Sequence, residues 1–314
     1  MKEYSLGIDT SNYKTSVALV DKEANILCDE RILLKVPMGQ RGLRQQEALF
    51  QHVNNLPELI EKAMNAACDG RIVRVSASSR PRNVKGSYMP CFNGGVSAAS
   101  IIASTLGTTP TFFSHQQGHI EAVRRYTRLR NTDRFGAFHF SGGTTEALLF
   151  ENGELTQIGG TLDISLGQVL DRVGVYLGMA FPAGEELDSY ALKGEAEEIK
   201  LPKPKLQDGY VNLSGLETHL RRLIEEKEGN IEETFISNLS SSIFRVFTGV
   251  IDEMMKYMAE EHKVDAFLFV GGVSSSKYLS SYYGDNPLVV MGNPSLASDN
   301  AVGIALLGGD EVWR

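Results

Sequence analysis

The chain has 314 residues, of which 42% are hydrophobic and 22% charged, and its net charge is −8 at pH 7. This composition is ordinary for a globular protein of about two domains, and the negative balance argues against a surface that binds nucleic acid throughout. Three widely spaced cysteines exclude a disulfide framework and a cysteine–zinc pattern, which indicates a reducing cytoplasm. No stretch of about 18 residues is continuously apolar, so we expect no membrane span.

The chain opens with three predicted strands, over 4–10, 15–20 and 25–34, that form a β-meander. The first strand ends in Asp9-Thr10-Ser11, a pattern that suits phosphate binding. Hydroxyls and amides of such a turn face phosphate oxygens, and the carboxylate can hold magnesium. The alternative is a turn in which Asp9 and Ser11 only cap their own backbone.

Apolar spacing then predicts helices, short strands and a loop as far as residue 114. They are a helix over 45–67, a strand over 72–76, a basic loop over 78–87, a helix over 94–106 and a strand over 109–114.

Two histidines follow that strand, and they are the strongest metal-binding signal in the sequence. His115 and His119 are four residues apart, so on a helix they lie on one face, one turn above the other. Two imidazoles at this spacing can bind one metal ion, or each can satisfy local hydrogen bonds. We expect the arginine-rich stretch 124–130 to continue the helix, either as a solvated face or along a phosphate backbone.

The second half of the chain repeats the opening pattern. A predicted strand over 135–140 runs into a Ser-Gly-Gly-Thr-Thr turn at 141–145, and strands over 147–150 and 155–158 follow. Glycines let a backbone approach a ligand closely, so this turn is a second phosphate-type loop. A hairpin and a phosphate loop in each half predict a duplicated ATP-binding fold.

Asp163 or Ser165 is predicted to cap the next helix, and Asp171 falls near its second turn. A Phe-Pro-Ala-Gly break then ends at Gly184. We predict a long amphipathic helix, or a broken pair of helices, over 232–261.

The last predicted site features lie near the C-terminus. A strand over 266–270 runs into Gly271-Gly272, where a nucleobase or ribose can lie against the backbone, or where a helix simply begins. Asp299 precedes a small-residue helix over 301–307. It is either a helix cap, favoured by the helix dipole, or a third metal ligand.

Together these motifs resemble the tRNA threonylcarbamoyl-adenosine transferase family, called TsaD or Gcp and also labelled O-sialoglycoprotein endopeptidase. The histidine pair with the terminal Ser-Asp-Asn-Ala is the most specific part of the resemblance. The matching stretches occur in the family's order over nearly the whole chain, at 7–11, 115–119, 141–145, 163–184, 214–216, 271–274 and 298–301.

The resemblance implies an α/β fold of the actin-like ATPase type, in the sugar kinase, Hsp70 and actin superfamily. Two duplicated lobes would surround a cleft. We place the lobes at 1–113 and 114–295, with a C-terminal helix at about 296–314 that packs back on the first lobe.

The resemblance also implies one divalent metal, iron or zinc, held by His115, His119 and Asp299. His139, two residues before the glycine loop, matches the place of a tyrosine ligand in some relatives. It is either a further metal ligand or a support for the ligands. ATP or an acyl-adenylate with magnesium would contact eleven positions: Asp9, Ser11, Ser141, Gly142, Gly143, Thr144, Gln168, Asp171, Gly184, Gly271 and Gly272.

The implied function is a metal-dependent threonylcarbamoyl or carbamoyl-type transferase in the cytoplasm, acting on tRNA or on another acceptor. It would work with partner proteins of a tRNA-modification complex or as a homodimer, without a membrane. The chain departs from the family at 78–82, Thr144, Gln168 and Glu217, which indicates a diverged paralog. The alternative is a catalytically altered, nucleotide-binding scaffold of the same pathway.

Two further alternatives are disfavoured. A metallopeptidase of the helical zinc type needs a glutamate base where this chain has Gln116, and an amide cannot accept the proton. A small-molecule kinase of the same superfamily needs a carboxylate base at a substrate hydroxyl and no metal on imidazoles.

Overall fold

The first sheet grows out of the predicted meander. A computed structural model describes residues 1–11, 13–36, 43–227 and 229–313. The antiparallel strands are β1 (Lys2–Thr10), β2 (Lys14–Asp21) and β3 (Ile26–Leu33). β4 (Gly70–Arg80) and β5 (Pro110–Ser114) then add in parallel, which gives the order β3-β2-β1-β4-β5. β1 runs through the centre of this sheet, and its apolar side chains are buried.

Several helices accompany this sheet. They are α1 (Gln45–Ala66), α2 (Asn93–Leu106), α3 (His115–Arg124), the short α9 (Pro294–Ala297) and α10 (Val302–Trp313). A 3-10 turn at Pro90–Phe92 precedes α2. Helix α1 buries residues at helical spacing, among them Leu56 and Leu59, against the sheet.

The second sheet repeats the plan of the first. β6 (Arg134–Phe140), β7 (Thr145–Glu151) and β8 (Glu154–Thr161) form an antiparallel meander, and β10 (Phe267–Val270) and β11 (Val289–Met291) add in parallel to β6. β9 (Tyr210–Val211) extends the far edge, so the order is β11-β10-β6-β7-β8-β9. Asn152 and Gly153 both have positive φ in the tight turn between β7 and β8. The duplicated topology confirms the prediction made from the two hairpins.

Five helices complete the described part of this unit. They are α4 (Leu166–Tyr176), α5 (Gly184–Ala191), α6 (Ser214–Glu225), α7 (Glu233–His262) and α8 (Lys277–Tyr283), and a 3-10 turn lies at Gly272–Ser275. The predicted alternative of a broken pair over 232–261 is wrong, because α7 is one continuous helix of 30 residues. In the described ranges we find no helix that is both long and apolar enough to cross a membrane.

The chain divides into two compact units, Met1–Arg130 with Ser295–Arg314, and Asn131–Pro294. This division differs from the predicted boundary at residue 113, since α3 and both of its histidines belong to the first unit. The C-terminal segment returns to the first unit because α10 packs on β1, β4 and α3.

The prediction that the arginine-rich stretch 124–130 continues the helix is wrong, because α3 ends at Arg124. Arg124 pairs with Glu121 at 2.9 Å and donates to the carbonyl of Arg130 at 3.0 Å, which folds the chain back. Arg125 pairs with Glu121 and with Asp310. These two guanidinium groups therefore hold the end of α3 and form neither a solvated face nor a phosphate track.

Candidate metal centre

The start of α3 fixes the position of the histidine pair. The Ser114 hydroxyl accepts from the Gln117 amide at 3.1 Å, and the Ser114 amide donates to the Gln117 side chain at 2.9 Å. This capping box sets the first helical residue at His115, directly after β5. His119 then lies one turn further on the same face, and the ring centroids are 4.4 Å apart.

Asp299 lies in the loop before α10, and its neighbour performs the capping that the sequence left open. The Asn300 side chain accepts from the Val302 amide at 3.0 Å and donates to the carbonyls of Leu296 and Ser298. Asp299 is therefore not the cap of α10. Its carboxylate faces the two histidines.

Three ligand atoms meet at one point. His119 Nε2 lies 3.0 Å from His115 Nε2 and 3.2 Å from Asp299 Oδ1, and His115 Nε2 lies 3.5 Å from the same oxygen. Nitrogen and oxygen ligands at about 2.0–2.2 Å from an ion, with angles of about 90–109°, are separated by about 2.8–3.6 Å. The triangle thus fits a divalent metal on one face and leaves its other positions open.

Asp9 supports this triangle from beneath. Its fully buried carboxylate accepts from His115 Nδ1 at 2.9 Å, which directs His115 Nε2 toward Asp299. Burial lowers the pKa of His115, but Asp9 and Asp299 together raise the pKa to about 10. Burial raises the pKa of Asp299, and its hydrogen bonds to His115 and His119 lower it well below the ordinary value. A metal ion would therefore replace a proton held among these groups.

The loop after β1 joins the same network. The Ser11 hydroxyl donates to Asp299 Oδ2 at 3.3 Å, while its carbonyl accepts from His52 Nε2 at 2.8 Å. His52 Nδ1 accepts from the Thr15 hydroxyl at 2.9 Å, and burial lowers the pKa of His52. We did not predict this histidine from the sequence. Its helical spacing from the buried Leu56 was the signal that places it on the inner face of α1.

The structure thus places Asp9 and Ser11 at the metal triad. Their predicted contacts with a nucleotide stay predictions.

Glycines allow the elements that carry the ligands to approach closely. A Cβ at Gly303 in α10 would overlap the carbonyl oxygen of Gly118 in α3, and a Cβ at Gly7 in β1 would overlap the backbone of Ala301 and Ala305. The loop with Asp299 enters α10 just before this contact. Backbone packing against Gly118 therefore sets the distance between Asp299 and the histidines.

The glycine loop of the second unit is a closed turn around one serine. The Ser141 amide donates to the Thr144 carbonyl at 2.9 Å, and the Ser141 hydroxyl accepts from the amides of Gly143 and Thr144. A Cβ at Gly142 or Gly143 would meet no atom within 4 Å, so this face of the loop is open. A role of these four residues in phosphate or nucleotide binding stays a prediction.

The other predicted nucleotide contacts have local partners. Gln168 completes a capping box by accepting from the Ser165 amide at 3.1 Å, so Ser165 caps α4 and Asp163 does not. Asp171 accepts from the Ala183 amide at 2.9 Å, which holds the break before Gly184. Burial raises the pKa of Asp171. A role of Gln168, Asp171 and Gly184 in nucleotide binding stays a prediction.

Gly271 has φ of 91°, and a Cβ there would overlap the carbonyl of Phe140, so close packing on β6 requires glycine. A Cβ at Gly272 would meet no atom within 4 Å. Only the second glycine therefore leaves a face open for a ligand, and its nucleotide contact stays a prediction.

His139 is buried in the second unit. It is the cross-strand partner of Glu146, whose carboxylate lies 3.5 Å from His139 Nδ1, and the Thr144 hydroxyl lies 3.4 Å from the same nitrogen. The three atoms of the metal triad all belong to the first unit. The prediction that His139 is a further ligand stays a prediction.

The sequence pattern that defines the TsaD family, described as tRNA N6-adenosine threonylcarbamoyltransferase, matches residues 35–306. The chain belongs to the TsaD family. The predicted transferase class is therefore confirmed. Relatives of that description include one from Thermodesulfovibrio yellowstonii, 27% identical over 96% of this chain and 92% of the relative. Another, from Methanopyrus kandleri, is 27% identical over 96% of this chain and 86% of the relative.

Solved structures confirm the actin-like fold. HypF from T. kodakarensis aligns with a TM-score of 0.64 and 14% identity, over 99% of this chain and 48% of HypF. Component A of the (R)-2-hydroxyglutaryl-CoA dehydratase from Acidaminococcus fermentans aligns with a TM-score of 0.56 and 12% identity, over 99% of each chain. A ROK family glucokinase from Streptomyces griseus aligns with a TM-score of 0.52 and 13% identity, over 98% of this chain and 99% of the glucokinase.

Replacement of Asp9 by asparagine should weaken metal binding by about 10- to 100-fold, because the carboxylate that orients His115 loses its charge. Isothermal titration calorimetry with the metal ion measures this change in affinity. Asp69→Asn is the matched control in the same unit, since Asp69 pairs with Lys2 away from the triad. Equal affinities of Asp9→Asn and the wild type would contradict the orienting role.

Proposed function

We propose that this member of the TsaD family transfers a threonylcarbamoyl group to the N6 amino group of adenosine in tRNA. The observation that carries the proposal is the convergence of His115, His119 and Asp299, which supplies a metal site of the kind a carbonyl transfer needs. The donor is an ATP-derived acyl-adenylate, bound with magnesium, and the site of action is the cytoplasm. Partner proteins or a second copy of the chain complete the assembly.

The reaction forms one bond and breaks one. The adenosine N6 attacks the carbamoyl carbon, the carbon–oxygen bond to the adenylate phosphate breaks, and the proton lost from N6 leaves with the phosphate. When bound, a divalent metal, iron or zinc, supplies Lewis-acid polarisation of the carbonyl. His115, His119 and Asp299 hold it, and Asp9 keeps the His115 ring in place. The open face at Gly142 and Gly143 lets a phosphate approach the backbone of the loop closely.

A bacterial strain depleted of its own tRNA transferase provides the test, because such a strain supplies the donor and the partner proteins. Expression of this chain should restore threonylcarbamoyl-adenosine in total tRNA, as measured by mass spectrometry of digested nucleosides. The His119→Ala variant should not restore it. His219→Ala is the matched control, since His219 lies in α6 outside the triad.

The scaffold alternative predicts a different result. If the wild type binds one metal ion and still restores no modified nucleoside, the transferase assignment on tRNA fails.

A further inference from the structure

Lys14 places a cation beside the metal triad. It is the first residue of β2, it is half-buried, and its Nζ donates to the Ser298 hydroxyl at 3.0 Å. Ser298 directly precedes Asp299 in the loop that supplies the carboxylate ligand. Burial lowers the pKa of Lys14, while the negative charge of Asp299 opposes that change.

Arg31 reaches the same serine from the neighbouring strand. Its guanidinium donates to the Ser298 hydroxyl at 3.2 Å and to the Ser295 carbonyl at 2.8 Å. Arg31 lies opposite Ser16, so Lys14 and Arg31 are on one face of the β2–β3 hairpin. The remaining nitrogens of Arg31 donate to both carboxylate oxygens of Asp29, which neutralises its charge.

Lys14 has no such carboxylate. Among the described residues, no acidic oxygen lies within 4.0 Å of its Nζ, and the Ser298 hydroxyl is its one hydrogen-bond acceptor. An ammonium group has three donors, so two of them have no acceptor in the described part of the protein. Arg31 is therefore a structural support of the loop, whereas Lys14 has binding capacity left for a ligand.

The charges of the site lead to the same conclusion. A divalent metal would balance the two carboxylates, Asp9 and Asp299, and the pair of Arg31 with Asp29 is neutral. Lys14 then leaves the site with one positive charge in excess. A half-buried cation next to a metal favours a ligand that carries a single negative charge on oxygen atoms.

We propose that the Lys14 ammonium binds an anionic group of the acyl donor, a carboxylate or a phosphate, next to the metal. This inference rests on the proposed function, because it identifies which part of the donor is bound at the triad. Lys14 acts here as a binding and specificity residue.

The test measures binding of donor fragments to the metal-loaded chain by calorimetry. The probes are N-carbamoyl-threonine, its methyl ester, which lacks the carboxylate charge, and adenosine monophosphate. Lys14→Met and Lys14→Gln remove the cation, and Lys14→Arg keeps it. Lys22→Met is the matched control beyond the other end of β2, since Lys22 is exposed and its ion pair is with Glu23. Only variants with the metal content and the melting temperature of the wild type are compared.

Loss of the cation should weaken the binding of one anionic probe by about 10- to 100-fold. This is the usual size of the contribution from a hydrogen bond to a charged group, about 1.5–3 kcal/mol. If the binding of N-carbamoyl-threonine weakens and that of its ester does not, the donor carboxylate is the group that Lys14 binds. If the binding of adenosine monophosphate weakens instead, the donor phosphate is that group. Lys14→Arg and Lys22→Met should bind as the wild type does.

Two results would overturn the inference. One is unchanged binding of both anionic probes by Lys14→Met and Lys14→Gln, and the other is no binding by the wild type at millimolar concentrations. The outcome of the tRNA assay does not depend on either of these two binding results. Modified nucleoside without a Lys14 effect removes only this inference, and a Lys14 effect without modified nucleoside removes only the proposed transfer to tRNA.

Discussion

Replacement of both His115 and His119 by alanine is expected to reduce the metal content from about one ion per chain to none, because Asp299 alone cannot retain a divalent ion. The same change leaves the buried carboxylate of Asp9 without His115, its hydrogen-bond partner at 2.9 Å. Breaking a buried charged pair costs about 3–5 kcal/mol of unfolding free energy. Elemental analysis and thermal melting of protein purified without oxygen measure both effects.

His119→Ala separates metal loss from unfolding, because it keeps the contact of His115 with Asp9. It should lose the metal with a smaller decrease in melting temperature than the double variant. His219→Ala should retain the metal and the wild-type stability. A double variant that still binds one ion per chain would show that the metal lies elsewhere.

Replacement of Gly303 by alanine is expected to destabilise the first unit by about 3 kcal/mol, the upper end of the usual cost of an added methyl group in a packed site. The new Cβ would overlap the backbone oxygen of Gly118, which cannot rotate away as a side chain can. Displacement of α10 should also move Asp299 away from the histidines and weaken metal binding. Calorimetric melting should show a decrease of about 6–12 °C in the transition of this unit.

Gly249→Ala is the matched control. Gly249 lies inside helix α7, and an added Cβ there would meet no atom within 4 Å. Alanine at this place should stabilise the protein by about 0.5–1 kcal/mol, because glycine loses more backbone entropy in a helix. If both variants melt alike, close packing of Gly303 on Gly118 does not hold α10.

Local chemistry predicted most of the elements and two of the three ligands. The spacing of His115 and His119 needs only one helical turn, and the preceding Ser114 sets the start of that turn. The paired meanders were also readable, since each depends on alternation along strands and on a tight turn such as Asn152-Gly153. These features depend on neighbours in the sequence, so a single sequence contains them.

The end of α3 could not be predicted from the sequence in this way. Arg124 and Arg125 look like the solvated face of a longer helix, because residues of this type are usually exposed. Asp310, the distant partner of Arg125, is in α10, far along the chain, and only folding brings the two together. The predicted continuation of α3 therefore failed where a distant ion pair replaced local preference.

By itself the sequence determined the alternation of strands and helices, the histidine pair and the two glycine-rich loops, because each of these follows from neighbouring residues. The tertiary structure decided what no local pattern contains. The close glycine contact of α10 with α3 brings Asp299 to the histidines. Asp9 accepts a hydrogen bond from His115, and Lys14 lies beside the site through its contact with Ser298. Such contacts join residues that are distant in the chain, so their energies depend on packing rather than on sequence spacing.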